Sequence, residues 1–272
     1  MGCVPDVMER SVSDAVLLSI ADQVATLTLN RVRAHNSFDL PTCEDFLSIL
    51  DGVARNESVR VVVIAANGPS FSAGGDFNWV LTWPGQTPEQ NKQGALAMTR
   101  VVQAIYDLPK PSIASVQGAA VGGGIGVMLA CDYVVASDRA RFGLTSARNG
   151  LLAGIAIPVL IQAVGPRRAR QLLMHGGMFD VAEAQRIGMV DRVATPEALE
   201  AETLKLAREL TLAAPTVQAL IKRLITEIDA APNDADMVEL VATNVAEQCL
   251  TPDAGEGMSA FLAKRKPGWV RT

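Results

Sequence analysis

Apolar positions along this chain follow two rhythms. Up to about residue 195, short apolar runs alternate with segments of helical spacing; beyond it only helical spacing remains. AVLLSI and VATLTLN, separated by Ala21, Asp22 and Gln23, read as two short strands joined by a tight turn. The polar stretch NRVRAHNSFD follows, and then the spacing of Leu47, Leu50 and Val53 predicts a helix over Pro41 to Asn56. RVVVIAA (Arg60 to Ala66) is a continuous β-branched run, as in a strand buried on both faces. NGPSFSAGGDF is a glycine-rich loop. Ala95, Met98, Val102 and Ile105 predict a helix over Lys92 to Leu108, which LPKP ends before the strand SIASV.

VQGAAVGGGIGVMLACD comes next, with Gly122, Gly123 and Gly124 between a strand-like and a helix-like run. YVVAS reads as a strand, followed by ARFG and the loop TSARNGLLAG. Ile155 to Val164 and Pro166 to Met174 read as two helices. Asp180 is placed to cap VAEAQRIG, Gly188 to close it, and MVDRV is a short strand. From Pro196 four helical segments are broken at Pro215, Pro232 and Pro252. The pattern predicts an α/β core over 1–195 and a helical region over 196–272.

Composition narrows the classes. The chain has 272 residues, is 49% hydrophobic and 19% charged, and carries a net charge of −5 with 4% aromatics. Such a sequence can build a large core, and it lacks both the basic footprint and the stacking residues of a nucleic-acid binder. Cys3, Cys43, Cys131 and Cys249 are scattered with no CxxC pair, which fits a reduced compartment without structural zinc. No apolar run reaches the ~18 residues of a membrane span. The N-terminus MGCVPDVMERSVSD does not read as a signal peptide, nor GWVRT as a peroxisomal address, so the expected location is cytoplasmic.

Several chemistries are excluded by motif. G-x-G-x-x-G fails at Val127 or Leu129, and no P-loop, G-x-S-x-G elbow or HExxH is present. His35 and His175 are the two histidines. What remains is a pair of strand-to-helix glycine loops, SAGGD (Ser72 to Asp76) and VGGGIG (Val121 to Gly126). Three consecutive glycines are costly to order, so either bare backbone must approach a ligand there or a helix must pack tightly on a sheet. Two such loops on neighbouring strands could each aim one N–H at the same oxygen, the geometry that stabilises a developing oxyanion such as a thioester enolate.

LNRVRAHNSF, RVVVIAANGPSFSAGGDF, LPKPSIASVQGAAVGGG, LACDYVVASDRARFG, AEAQRIGMVDRV and EGMSAFLAKRKPGW, in this order, resemble the enoyl-CoA hydratase/isomerase (crotonase) superfamily along nearly the whole chain. The resemblance implies a spiral ββα core, a C-terminal helical trimerisation region, and a homotrimer or a hexamer made of two trimers. It implies an acyl-CoA ligand, with coenzyme A part of the substrate rather than a separate cofactor, and no metal. By motif position the thioester oxygen would meet the N–H groups of Gly75 and Gly123. Ala73 would contact the adenine end of CoA, with Arg31, Arg33, Lys264 and Lys266 as the basic residues for CoA.

The chain also departs from that pattern. Hydratases of the superfamily use two glutamates, and those positions here are Gly126 and Ser146; an aspartate position of some isomerases and dehalogenases is Gly154. Glycine can neither take a proton from water nor deliver one to carbon. Asp76, directly after Gly75, reads either as a helix cap or as a substrate-binding residue. Arg148 is either a solvated loop residue or the partner of a second substrate carboxylate, as in the similar bacterial hydratases of branched glutaconyl-CoA derivatives. Asn149 could help shape the acyl pocket, and Trp79 and Trp83 read either as pocket walls or as packing residues. His35 reads as a turn residue near the CoA entrance. The expectation is an enzyme of the hydratase/isomerase type, a lyase or isomerase with non-standard acid/base residues; the alternative is an acyl-CoA binder with little or no turnover.

Overall fold

The computed structural model describes residues 14–229 and 234–270. The break expected at Pro232 and the N-terminal segment through Ser13 lie outside them. The described chain opens with the hairpin β1 (Val16–Ala21) and β2 (Val24–Leu29), then α1 (Leu40–Arg55), β3 (Val61–Ala66) and the short β4 (Ser70–Ser72). Next come α2 (Phe77–Val80), α3 (Pro88–Tyr106), β5 (Ser112–Val116), β6 (Ala119–Val121) and α4 (Gly123–Leu129). β7 (Tyr133–Ser137), β8 (Arg141–Gly143), α5 (Ile157–His175), β9 (Met178–Asp180), α6 (Val181–Arg186) and β10 (Arg192–Ala194) follow. The helices α7 (Leu199–Leu210), α8 (Pro215–Asp229), α9 (Asp234–Gln248) and α10 (Pro252–Leu262) end the series.

Six strands form the larger sheet in the order β1-β2-β3-β5-β7-β10, antiparallel at the hairpin and parallel elsewhere. The β-branched run of β3 explains its central place, since both of its faces are covered. Val62 and Ile64 join the main core with Phe46, Leu50 and Ile105 of α1 and α3. Val61 and Val63, on the opposite face by the two-residue period of a strand, pack with Leu199, Leu206 and Ala207 of α7. α7 therefore completes the sandwich, and the packing runs across the boundary expected at residue 195.

A second sheet, in the order β4-β6-β8-β9, was not anticipated from the sequence. Its strands are three residues each, too short to carry a readable period. β3, β5 and β7 of the large sheet are followed in turn by β4, β6 and β8 of the small one, and this repetition makes the α/β ββα spiral. One local expectation shifts. α3 starts at Pro88 rather than Lys92 because Thr87 and Gln90 form a reciprocal capping box. The two helices expected at 155–164 and 166–174 both lie in the α5 range, which breaks between them at Gly165, whose φ of 74° and ψ of 160° are not helical. No described helix is long and apolar enough to cross a membrane.

Candidate active site

Three turns leave the same end of the small sheet and meet over one cavity. Parallel pairing of β4 with β6 (Ser70 opposite Ala119, Ser72 opposite Ala120) brings Ala73–Asp76 beside Gly122–Gly124. Pairing of β6 with β8, extended by Gly122 N–H donating to Gly143 O at 2.8 Å, brings in Thr145–Asn149. The glycine loops approach so closely that side chains are barred. A Cβ on Gly74 would lie 2.6 Å from Gly123 N, and Gly74 has a φ of +83°. Within the triple glycine, Gly122 adopts a φ of +53°, and a Cβ on Gly124 would lie 2.3 Å from Ser72 O. A Cβ on Gly123 would meet Met98 Cε at 2.8 Å and come within 3.6 Å of Gly75 N.

The polar segment before α1 braces the first loop. Phe38 N–H donates to Gly74 O (2.7 Å), Asp76 N–H donates to Phe38 O (2.8 Å), and Ala73 N–H donates to His35 O (2.9 Å). Between these bonds the Gly75 N–H has no acceptor among the described residues. Gly123 is the first residue of α4, where a helix offers its N–H no partner. Two uncommitted N–H groups thus stand side by side at the cavity.

Charge holds the brace in place. Arg31 pairs with Asp39 (2.8 Å) and Asp76 (3.1 Å) and donates to Ser37 O (2.6 Å). Asp76 caps α2 through Asn78 N–H (2.9 Å) and accepts from the Ser37 hydroxyl (3.1 Å). Burial pushes the Asp76 carboxyl up, but the bonds from Ser37 and Asn78 and the Arg31 charge outweigh it, so its pKa falls below 3.8. Sequence reasoning missed this network, although Arg31 and Asp39 flank a turn-rich stretch that must fold back on itself. Arg31, expected to meet CoA, spends its charge on the loop. Arg33, Lys264 and Lys266 are exposed, and none of the four lines the cavity.

The cavity has a volume of about 520 Å³. Of the expected site residues it is lined by Ala73, Gly75, Trp79, Gly123, Ser146 and Asn149, together with Gly154. Its lining contains no titratable side chain. Gly126 is buried behind the wall, where a Cβ would meet Val102 Cγ2 at 3.3 Å and Ala156 Cα at 3.4 Å. The Ser146 hydroxyl lies near Gly122 and has no hydrogen-bond partner among the described residues.

Arg148, read above as either a solvated loop residue or a carboxylate partner, is exposed and does not line the cavity. Its Nε donates to His175 O (3.2 Å) and its stem packs on Gly176 at the end of α5. His35 pairs with the Ser70 hydroxyl at 3.0 Å, outside the lining. Cys43 is buried and its thiol is pushed up to about 12; burial also raises Cys131. Neither supplies a thiolate at neutral pH. Among the described residues, no group of three or more His, Cys, Asp or Glu is placed to hold a metal.

The fold and the sequence have counterparts among known proteins. A crystal structure of an enoyl-CoA hydratase from Shewanella pealeana superposes with a TM-score of 0.90 at 29% identity, covering 94% of this chain and 96% of that one. A crotonyl-CoA hydratase of Syntrophomonas wolfei is 31% identical over 94% of this chain and 97% of its own length. A trans-2-decenoyl-[acyl-carrier-protein] isomerase of Streptococcus mutans is 30% identical over 93% and 96%. The profile of the enoyl-CoA hydratase/isomerase family matches residues 19–272, and the chain belongs to that family.

Proposed function

We propose that this chain binds an acyl-CoA thioester with its carbonyl oxygen between the Gly75 and Gly123 N–H groups and stabilises the enolate formed there. The convergence of two uncommitted backbone donors on one cavity carries the reading. Donors of this kind, already oriented, are commonly worth about 10²–10³ in rate each. Coenzyme A enters as part of the substrate, with Arg33, Lys264 and Lys266 left as its basic contacts.

The reaction itself is not the two-carboxylate hydration of water onto an enoyl thioester. Gly126 offers no carboxylate, Ser146 is a poor base without a partner, and Gly154 adds nothing. Each missing acid or base removes roughly 10²–10⁴-fold. Turnover, where it occurs, uses the substrate's own acidity, bound water or the hydroxyls of Thr145 and Ser146. The charge-free lining equally favours a second reading, an acyl-CoA binder with little turnover.

The test is to titrate crotonyl-CoA calorimetrically and follow its hydration on the same preparation. Binding with slow hydration supports the proposal. Rapid hydration overturns the loss of acid/base equipment, and absence of binding overturns the ligand class. A homotrimer or a dimer of trimers in the cytoplasm completes the proposal. Its support is the apolar surface left open on the C-terminal helices, with Ile225 59%, Val238 63% and Phe261 82% exposed. Light scattering after gel filtration reads the subunit number.

A further inference from the structure

We propose that the acyl end of the cavity selects a neutral, apolar acyl group, and that Gly94, through the tryptophan pair it seats, sets the size that fits. This rests on the acyl-CoA reading above. Trp79 and Trp83 both line the cavity and stand edge to face, with ring centroids 5.5 Å apart and planes at 89°. Their support is a glycine in the interior of α3. A Cβ on Gly94 would lie 2.9 Å from Trp83 Cζ2 and 3.1 Å from Trp79 Cζ2. Glycine is a poorer helix former than alanine, so helix propensity does not account for it. The two indole rings do. Asn91, one turn earlier on the same face, donates its Nδ2 to Trp83 O at 3.0 Å and fixes the second ring's backbone.

The same helix reaches the reacting end. Met98, one turn after Gly94, also lines the cavity, and its Cε occupies the space over Gly123. Four helical residues advance about 6 Å, so an acyl chain starting at Gly123 and running along α3 soon meets the tryptophan wall. The wall accepts apolar or aryl surface. It offers a charged terminus no ion pair, because no cationic side chain lines the cavity and the Nε of Arg148 donates to His175 O outside it. The neutral hydroxyls and amide of Thr99, Thr145, Ser146 and Asn149 would replace the water of a carboxylate only in part.

The experiment measures affinities of hexanoyl-CoA, benzoyl-CoA and adipoyl-CoA for the wild type, Gly94→Ala and Trp83→Ala, each first checked by circular dichroism and melting. Gly94→Ala is expected to fold, since alanine favours the helix. The wild type should bind the two neutral thioesters at least about tenfold more tightly than the dicarboxylic one. Gly94→Ala should shift the preference between hexanoyl-CoA and benzoyl-CoA by about tenfold, the scale of one methylene in a pocket, and Trp83→Ala, which removes part of the wall, should shift that preference as well. Equal affinity for adipoyl-CoA, or an unchanged preference in both variants, overturns this inference while leaving acyl-CoA binding intact. If no CoA thioester binds any of the three proteins, the functional reading falls and this one with it.

Discussion

The two ends of the cavity are built from different materials. At the end proposed to hold the thioester, the uncommitted groups belong to the backbone: Gly75 and Gly123 offer N–H groups, and everything around them fixes peptide planes. Phe38 grips the chain on both sides of Gly75, Arg31 joins Asp39 to Asp76, and Gly74 and Gly124 clear the space where side chains would strike neighbouring backbone. At the acyl end the wall is made of side chains, apolar or neutral, resting on α3. Backbone donors persist whatever side chains replace the acids, whereas acid/base chemistry disappears with one substitution. Under the proposed function, the chain would keep the ligand class of its family and alter the reaction.

The largest expected effect comes from putting a side chain into the thioester end. Gly123→Asp places its Cβ against Met98 and beside Gly75 N–H, and should weaken acyl-CoA binding by about 100-fold by calorimetry. Unchanged affinity would remove Gly123 from the site. Restoring a carboxylate tests the other end. Gly126→Glu must push into Val102 and Ala156, so it should destabilise the fold by about 1–3 kcal/mol in urea titrations, and adding Val102→Ala should relieve part of that loss. A cost unrelieved by Val102→Ala would mean that crowding is not the obstacle.

Bracing has its own signature in pH. Asp76 titrates below its unfolded value, so its contribution to stability is complete above pH 3.8 and is lost as the pH falls further. Asp76→Asn should destabilise by about 1–3 kcal/mol at pH 7, because Arg31 loses a buried partner, and should flatten this acid limb. The smallest effect belongs to Glu256, whose exposed carboxylate accepts from Arg265 and Gly268 N–H and titrates at about 2. Its contribution fades as the pH falls from 4.5 toward 2. Glu256→Gln should therefore shift the melting temperature less than Asp76→Asn, and less still in high salt.

How much of this could be read in advance follows from length scales. β3 and α1 were legible because their patterns run long enough to show a period. The two glycine loops were legible as motifs, and the places of Gly75 and Gly123 on the cavity followed. The small sheet was hidden because three-residue strands have no period, although it is what lays the loops side by side. The protein partners of Arg148 and Arg31 were hidden for a related reason: an arginine's reach covers several partners, and sequence spacing does not say which carbonyl or carboxylate it finds first. Gly94 was passed over as one residue in a helical run. Its meaning appears only when the two indoles are seen above it.

The central claim is that Gly75 and Gly123 N–H groups polarise a thioester carbonyl. The direct measurement is infrared difference spectroscopy of an acyl-CoA labelled with carbon-13 at that carbonyl, free and bound. The account predicts a shift to lower frequency on binding to the wild type that is lost with Gly123→Asp at ligand concentrations that still give occupancy. A bound carbonyl that absorbs at its free frequency would contradict it.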